Sequence, residues 1–130
     1  MTDFNQEKES IEQTLRYFFD GLDDLDAAKI LRAFHYKAWS FSNGEKGFAN
    51  IPVSHWPRTI ESAKSDPEHP FRKEKSKKNI VYIDIAGNAA QAKVEWVFSD
   101  FKFTDYYNLL KVDDTWQIVN KTYYTEKFPK

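Results

Sequence analysis

The sequence contains no cysteine, which excludes disulfides, thiolate nucleophiles and Cys-ligated metal and agrees with a reducing compartment. It also has almost no net charge. Nineteen Lys and Arg stand against 20 Asp and Glu, so no global field draws in nucleic acid or an anionic membrane. No apolar run approaches the roughly 18–20 residues of a membrane span, and Met1-Thr2-Asp3-Phe4-Asn5-Gln6-Glu7 carries neither a basic nor an apolar leader segment. These absences predict a cytoplasmic protein without nucleic-acid or membrane partners. Internal repeats, low-complexity tracts and linkers are also missing, so residues 1–130 are expected to form a single domain.

What the chain has in quantity is flat, wide side chains. Its 11 Phe, 7 Tyr and 4 Trp make 17% of the residues, and such rings can line a cavity as well as fill a core. Leu, Ile, Val and Phe together number 31, enough with the near-zero net charge to place the chain outside the disordered range.

The apolar positions change period along the chain. Ile11, Leu15, Phe18, Phe19 and Leu22 fall on one helical face, which predicts a helix over residues 7–22. Asp23-Asp24-Leu25-Asp26 supplies an N-cap for a second helix from Asp26 to Phe34, carrying Ala27, Ala28, Leu31 and Phe34. Asn43-Gly44 then reads as the turn of a small aromatic hairpin, and Pro52 to Ala63 reads as a third helix with Pro57 in its first turn. Beyond Pro67 the pattern is strand-like: residues 79–85, then Ala90, Ala92, Val94, Trp96 and Phe98 alternating with polar residues, then residues 103–112 and 115–125 around Asp113-Asp114. A two-residue loop at Asp113-Asp114 sets Trp116 opposite Lys111, Ile118 opposite Leu109, Asn120 opposite Tyr107 and Thr122 opposite Asp105.

Helices followed by a long meander predict an α+β fold, with three N-terminal helices packed in the concave face of a strongly curved antiparallel sheet. The segments GLDDLDAAKILRAFHYKAW and FTDYYNLLKVDDTWQIVNKTYY, in this order of elements, resemble the nuclear transport factor 2-like superfamily, closest to its lumazine-binding-like branch of small bacterial proteins. The likeness implies a cystatin-like cone with a pocket between sheet and helices, often dimeric through the sheet's outer face. It implies no single function, because the fold hosts isomerases, dehydratases, cyclases, transport factors and binders.

With Leu109, Trp116 and Ile118 facing the helices, the expected register turns Asp105, Tyr107, Asn120 and Thr122 to the same side. A buried carboxylate beside a phenol suits proton transfer, with Asp105 as base and Tyr107 as hydrogen-bond donor. The alternative is that these groups bond one another across the ladder and fix its curvature. His35, placed at the end of helix 2, is a second candidate base or a helix C-cap. Relatives that resemble the chain carry His-Pro-Asp-Ala there, whereas this chain reads His35-Tyr36-Lys37-Ala38. Ketosteroid isomerases place a general base on the following strand, which here reads Trp39-Ser40-Phe41-Ser42-Asn43 without a carboxylate.

His35, His55 and His69 lack metal-ligand spacing, and no Gly-rich phosphate loop is present, so neither a metal nor a cofactor is expected. The basic run Arg72 to Lys78 is expected to protect a sheet edge. The expected ligand is a small, partly aromatic organic molecule held by Tyr17, His35, Trp39, Trp56, Trp96, Asp105, Tyr107 and Asn120. A proton-transfer enzyme and a protein-binding module are the rival readings. Tyr106, Leu110, Val119 and Tyr123 are expected on the outer face, where they would make a homodimer contact.

Overall fold

The computed structural model describes residues 3–129. Helix α1 (Phe4–Asp23) starts where the Asp3 side chain accepts from the Gln6 N–H at 2.8 Å, and it buries Ile11, Leu15, Phe18, Phe19 and Leu22 as one stripe. A Cβ on Gly21 would come within 2.6 Å of Ile30 Cγ1, so the absence of a side chain there lets α1 and α2 (Ala27–Arg32) touch.

Helix α2 is shorter than its apolar spacing predicts. At Ala33 the chain leaves the helix, the Ala33 carbonyl accepts from the Ile118 N–H at 2.9 Å, and Phe34 opens strand β1 (Phe34–Gly44). His35 therefore lies on a strand and not at a helix C-terminus. The competing structure is a parallel ladder with a strand 80 residues away, which no local pattern announces. Strand β2 (Gly47–Pro52) pairs with β1 across Glu45-Lys46, with Gly47 at φ +93°, so the turn sits two residues beyond the expected Asn43-Gly44. A short 3₁₀ turn over Val53–His55 leads into α3 (Trp56–Ser65), which has Pro57 in its first turn as expected. A fourth helix, α4 (Pro70–Lys73), is a single turn that the sequence pattern does not show.

Strands β3 (Lys77–Ala86), β4 (Ala89–Val97), β5 (Phe101–Val112) and β6 (Thr115–Lys127) complete a curved, unclosed six-stranded sheet in the order β2-β1-β6-β5-β4-β3. Every neighbouring pair is antiparallel except β1 with β6. Lys77 and Lys78 open the edge strand β3, as expected of the basic run, and Lys78 forms an ion pair with Asp23 at the end of α1.

The β5–β6 hairpin follows the expected register only in its first half. Asp113 and Asp114 take φ of 51° and 64°, the paired positive values of a tight hairpin turn, and Lys111 faces Trp116 while Leu109 faces Ile118. Past Val119 the register slips by one residue, so that Asn108 faces Asn120, Tyr107 faces Lys121 and Asp105 faces Tyr123. Because side chains alternate with period two, the slip exchanges the faces of everything beyond it. Lys121 and Tyr123 turn inward. Asn120 and Thr122, expected inside, turn outward, and Tyr123 leaves the outer face on which it was expected.

The core joins Ile11, Leu15 and Phe18 to Ala92, Val94, Trp96, Phe98, Leu109 and Ile118, the sheet face that the alternation in β4 predicts. Phe18 meets Phe34, Trp56 and Trp96 edge-to-face at 5.1, 5.4 and 4.9 Å, pairs that add about 0.5–1.5 kcal/mol each beyond area burial. At the turn end, the Glu7 carboxylate accepts from Trp116 Nε1 at 3.1 Å and Lys111 Nζ at 2.9 Å, and Thr14 donates to the Trp116 carbonyl at 2.8 Å. These bonds pin α1 to the hairpin and leave the opposite end of the sheet to curve away.

Candidate functional site

At that opposite end lies a cavity of about 280 Å³. Helix α1 supplies Phe18 and Leu22, the segment around the start of α3 supplies His55, Trp56 and Thr59, and the sheet supplies Trp96, Phe103, Asp105, Lys121, Tyr123 and Thr125. Ser40, Ile51, Pro52 and Phe71 complete the lining. The walls are thus aromatic. The sheet contributes the two charged side chains, and both come from the half of the hairpin beyond the slip.

These charges sit on a buried polar chain. Trp96 Nε1 donates to Tyr107 Oη at 3.1 Å, and Tyr107 donates to Asp105 Oδ2 at 2.8 Å. Lys121 Nζ stands 3.7 Å from the same carboxylate oxygen, 4.4 Å from the centre of the Tyr123 ring and 5.6 Å from that of Phe18. Burial pushes the Asp105 carboxyl above the usual aspartate range, against the opposing pull of the Lys121 charge and of hydrogen bonding from Tyr107 and Trp96. The Tyr107 hydroxyl is pushed well above the ordinary phenol range by burial first and by the Asp105 charge second. Tyr107 therefore remains a phenol whose proton points at Asp105. The arrangement presents a hydrogen-bond acceptor and an ammonium side by side in an apolar cavity. Among the described residues no group of three or more His, Asp or Glu side chains is placed to hold a metal ion.

The structure gathers part of the expected set. Trp56, Trp96 and Asp105 line the cavity, and Tyr107 lies directly behind Asp105. Four others stand elsewhere. Tyr17 carries the Arg32 guanidinium over its ring at 4.2 Å, and its hydroxyl accepts from Arg32 Nη2 at 3.1 Å. The His35 ring stacks on Tyr36, and its Nδ1 accepts from the Lys37 N–H at 3.0 Å. Trp39 is 40% exposed and pairs in register with Asn120, on the side of the sheet away from Ser40 and Lys121. Asn120 accepts from Asn108 Nδ2 at 2.9 Å.

Lys121, Tyr123 and Phe103 are among the cavity residues that sequence reasoning passed over, as are His55 and Thr59. One signal pointed to Lys121: an inward Asp105 needs a cation or a proton, and Lys121 is the cationic residue on the middle of the neighbouring strand.

Residues 6–124 match the family described as "Putative lumazine-binding". Among solved structures, a nuclear transport factor 2-like protein of unknown function from Shewanella baltica is 30% identical, with 100% of each chain covered and a TM-score of 0.82. Another such protein of unknown function, from Silicibacter pomeroyi, is 18% identical over 96% of this chain and 100% of its own, with a TM-score of 0.81. A ketosteroid isomerase-like protein from Erwinia carotovora is 13% identical over 98% of this chain and 100% of its own, with a TM-score of 0.69. The last two likenesses speak to the fold alone. No curated protein matches the chain.

Proposed function

The chain belongs to the lumazine-binding family of the nuclear transport factor 2-like superfamily, and from that premise we propose that it binds a small, flat, partly aromatic molecule in the cavity beside Asp105. The observation that carries the reading is the cavity's composition. Rings of Phe18, Trp56, Trp96, Phe103 and Tyr123 enclose one carboxyl and one ammonium, apolar walls with few polar groups, as in small-molecule sites generally. A volume of about 280 Å³ lies just under the roughly 300–1,000 Å³ range of drug-sized ligand pockets, which suits one fused ring system. The family's description supports a bicyclic heteroaromatic such as lumazine as a first probe.

Trp56 and Trp96 line the cavity and make the test direct. Titration of indole fluorescence with a panel that includes lumazine is expected to give saturable quenching by planar rings and none by aliphatic amides of similar size. A panel in which no planar compound binds, with the fold intact, contradicts the reading.

The raised carboxyl of Asp105 favours a second reading, in which the same site moves a proton on its ligand. Lys121 would then be the partner that steadies developing negative charge, since Tyr107 is turned to Asp105 and His35 does not line the cavity. Exchange of ligand protons with deuterium oxide, lost in Asp105→Asn, distinguishes turnover from binding.

The outer sheet face supports a homodimer as part of the same proposal. Tyr106, Leu110 and Tyr124 stand exposed there, an apolar patch that a second copy would cover.

A further inference from the structure

Resting on the reading of the cavity as a binding site, we propose that its ligand carries a lactam edge, a ring carbonyl beside a ring N–H, with the carbonyl on Lys121 and the N–H on Asp105. The argument starts from hydrogen-bonding capacity left unused. The Asp105 side chain is 4% exposed and that of Lys121 is 9% exposed, so neither is bathed by bulk solvent. An ionised carboxylate offers about four lone-pair sites. Among the described residues the short side-chain hydrogen bond that Asp105 accepts is the one from Tyr107 to Oδ2, with weaker pulls from Trp96 and Lys121. Lys121 Nζ has three N–H donors, yet its nearest acidic oxygen stands at 3.7 Å, beyond hydrogen-bond distance, and rings occupy two of its other sides. Both groups line the same cavity.

A ligand that fits must therefore bring an acceptor for the ammonium and a donor for the free carboxylate oxygen, next to each other. It must also be flat, because aromatic rings bound the space. Its own charge is set by the pair: Asp105 and Lys121 compensate one another, so a neutral ligand enters without leaving a buried charge unmatched, whereas an anion would lie against Asp105. A fused-ring cyclic amide meets all three demands. An aromatic carboxylate meets the second alone. Lys121 thus becomes the residue that sets specificity, through the carbonyl, and Asp105 the residue that checks for the N–H.

Calorimetric titration of the full chain near neutral pH tests this with probes of matched size: the fused-ring lactams carbostyril and isocarbostyril, their N-methyl derivatives, and naphthoate. The lactams are expected to bind, and N-methylation, which removes the donor and keeps the carbonyl, to weaken binding at least tenfold. Lys121→Met is expected to lose a similar factor for the lactams, and Lys121→Gln, which restores a neutral donor, to recover part of it, with thermal melting confirming that each variant is folded. The N-methyl series needs no variant and stands even if one of them fails to fold. N-methyl derivatives that bind within twofold of their parents, or naphthoate that binds more tightly than the lactams, would overturn the lactam edge while leaving the cavity as a binding site. Binding by none of these flat rings would overturn both.

Discussion

The two halves of the β5–β6 hairpin share a sequence pattern and do opposite work. Near the turn, Leu109, Trp116 and Ile118 are buried in the core with α1, and the Trp116 indole and carbonyl and the Lys111 ammonium find partners in Glu7 and Thr14. Beyond Val119, the inward positions are Asp105, Lys121, Tyr123 and Thr125, and they face a cavity instead of a helix. The change in register between the halves adds one residue to β6, bends the strand, and delivers a lysine where the regular ladder would deliver an asparagine. One strand pair thus supplies both a closely packed part of the core and the candidate site. Stability and recognition are therefore expected to separate along the hairpin.

The largest effect that would sharpen this contrast is Trp116→Ala, which empties a fully buried indole and releases Glu7. Chemical denaturation is expected to show a loss of about 3–5 kcal/mol, the usual cost of truncating a buried Trp. A loss under about 1 kcal/mol would break the comparison, because the turn half would then be no better packed than a surface.

In the cavity half, Lys121→Met is expected to weaken binding strongly while costing only about 1–3 kcal/mol of stability. The cost is limited because Asp105, whose carboxyl burial already pushes upward, can take up a proton when the cation is gone. A stability loss that exceeds that of Trp116→Ala would mean that the ion pair holds the fold, and the division of labour between the halves would fail.

Protonation gives a third test. The folded chain holds the Asp105 carboxyl above its unfolded value near 3.8, so the folded state binds that proton more tightly than the unfolded state does. The resulting stability is present below that value and is lost as pH rises from about 3.8 through the raised folded pKa. Relative to Asp105→Asn, the wild-type chain is expected to lose stability over this rise, measured by denaturation at a series of pH values. The surface carboxyl of Glu74 behaves with the opposite sign. Hydrogen bonds from the Ser99 N–H and hydroxyl hold it below the ordinary glutamate value near 4.5, so its contribution is lost as pH falls. A wild-type chain that loses stability relative to Asp105→Asn on acidification through the same range would reverse the assignment.

The smallest effect on the fold is expected at the outer face. The double change Tyr106→Ser and Leu110→Ser should alter unfolding by about 0.5 kcal/mol or less, since both side chains are substantially exposed in one copy of the chain. Sedimentation should nevertheless show a shift from dimer to monomer. A wild-type chain that sediments as a monomer at high micromolar concentration contradicts the dimer.

What the sequence made legible follows the same line. The helix-facing side of β4 and the turn half of the hairpin were readable because strict alternation and a two-residue Asp-Asp loop determine faces by local geometry. The bulge was not readable, because Val119-Asn120 has ordinary strand composition and nothing nearby marks an extra residue. Every assignment beyond it carried that one-residue error, which is why Asn120 was expected in the site and Lys121 was not. His35 and Trp39 went astray for a different reason. Strand β1 owes its start to a parallel ladder with β6, so a helical spacing that continued through Phe34 stopped at Arg32. Trp56, Trp96 and Asp105 do line the cavity, because the placement of each depends on local periodicity and on no long-range register.

The most direct measurement is the set of indole N–H resonances, because the four tryptophans divide between the regions being compared. Trp56 and Trp96 line the cavity, Trp116 sits in the packed half, and Trp39 lies on the outer side of β1. Titration of the ¹⁵N-labelled chain with the tightest binder from the flat-ring panel is expected to move the Trp56 and Trp96 signals together and to leave those of Trp39 and Trp116 in place. Movement of Trp39 or Trp116 with Trp56 and Trp96 unchanged would put the ligand elsewhere and contradict the cavity as the site.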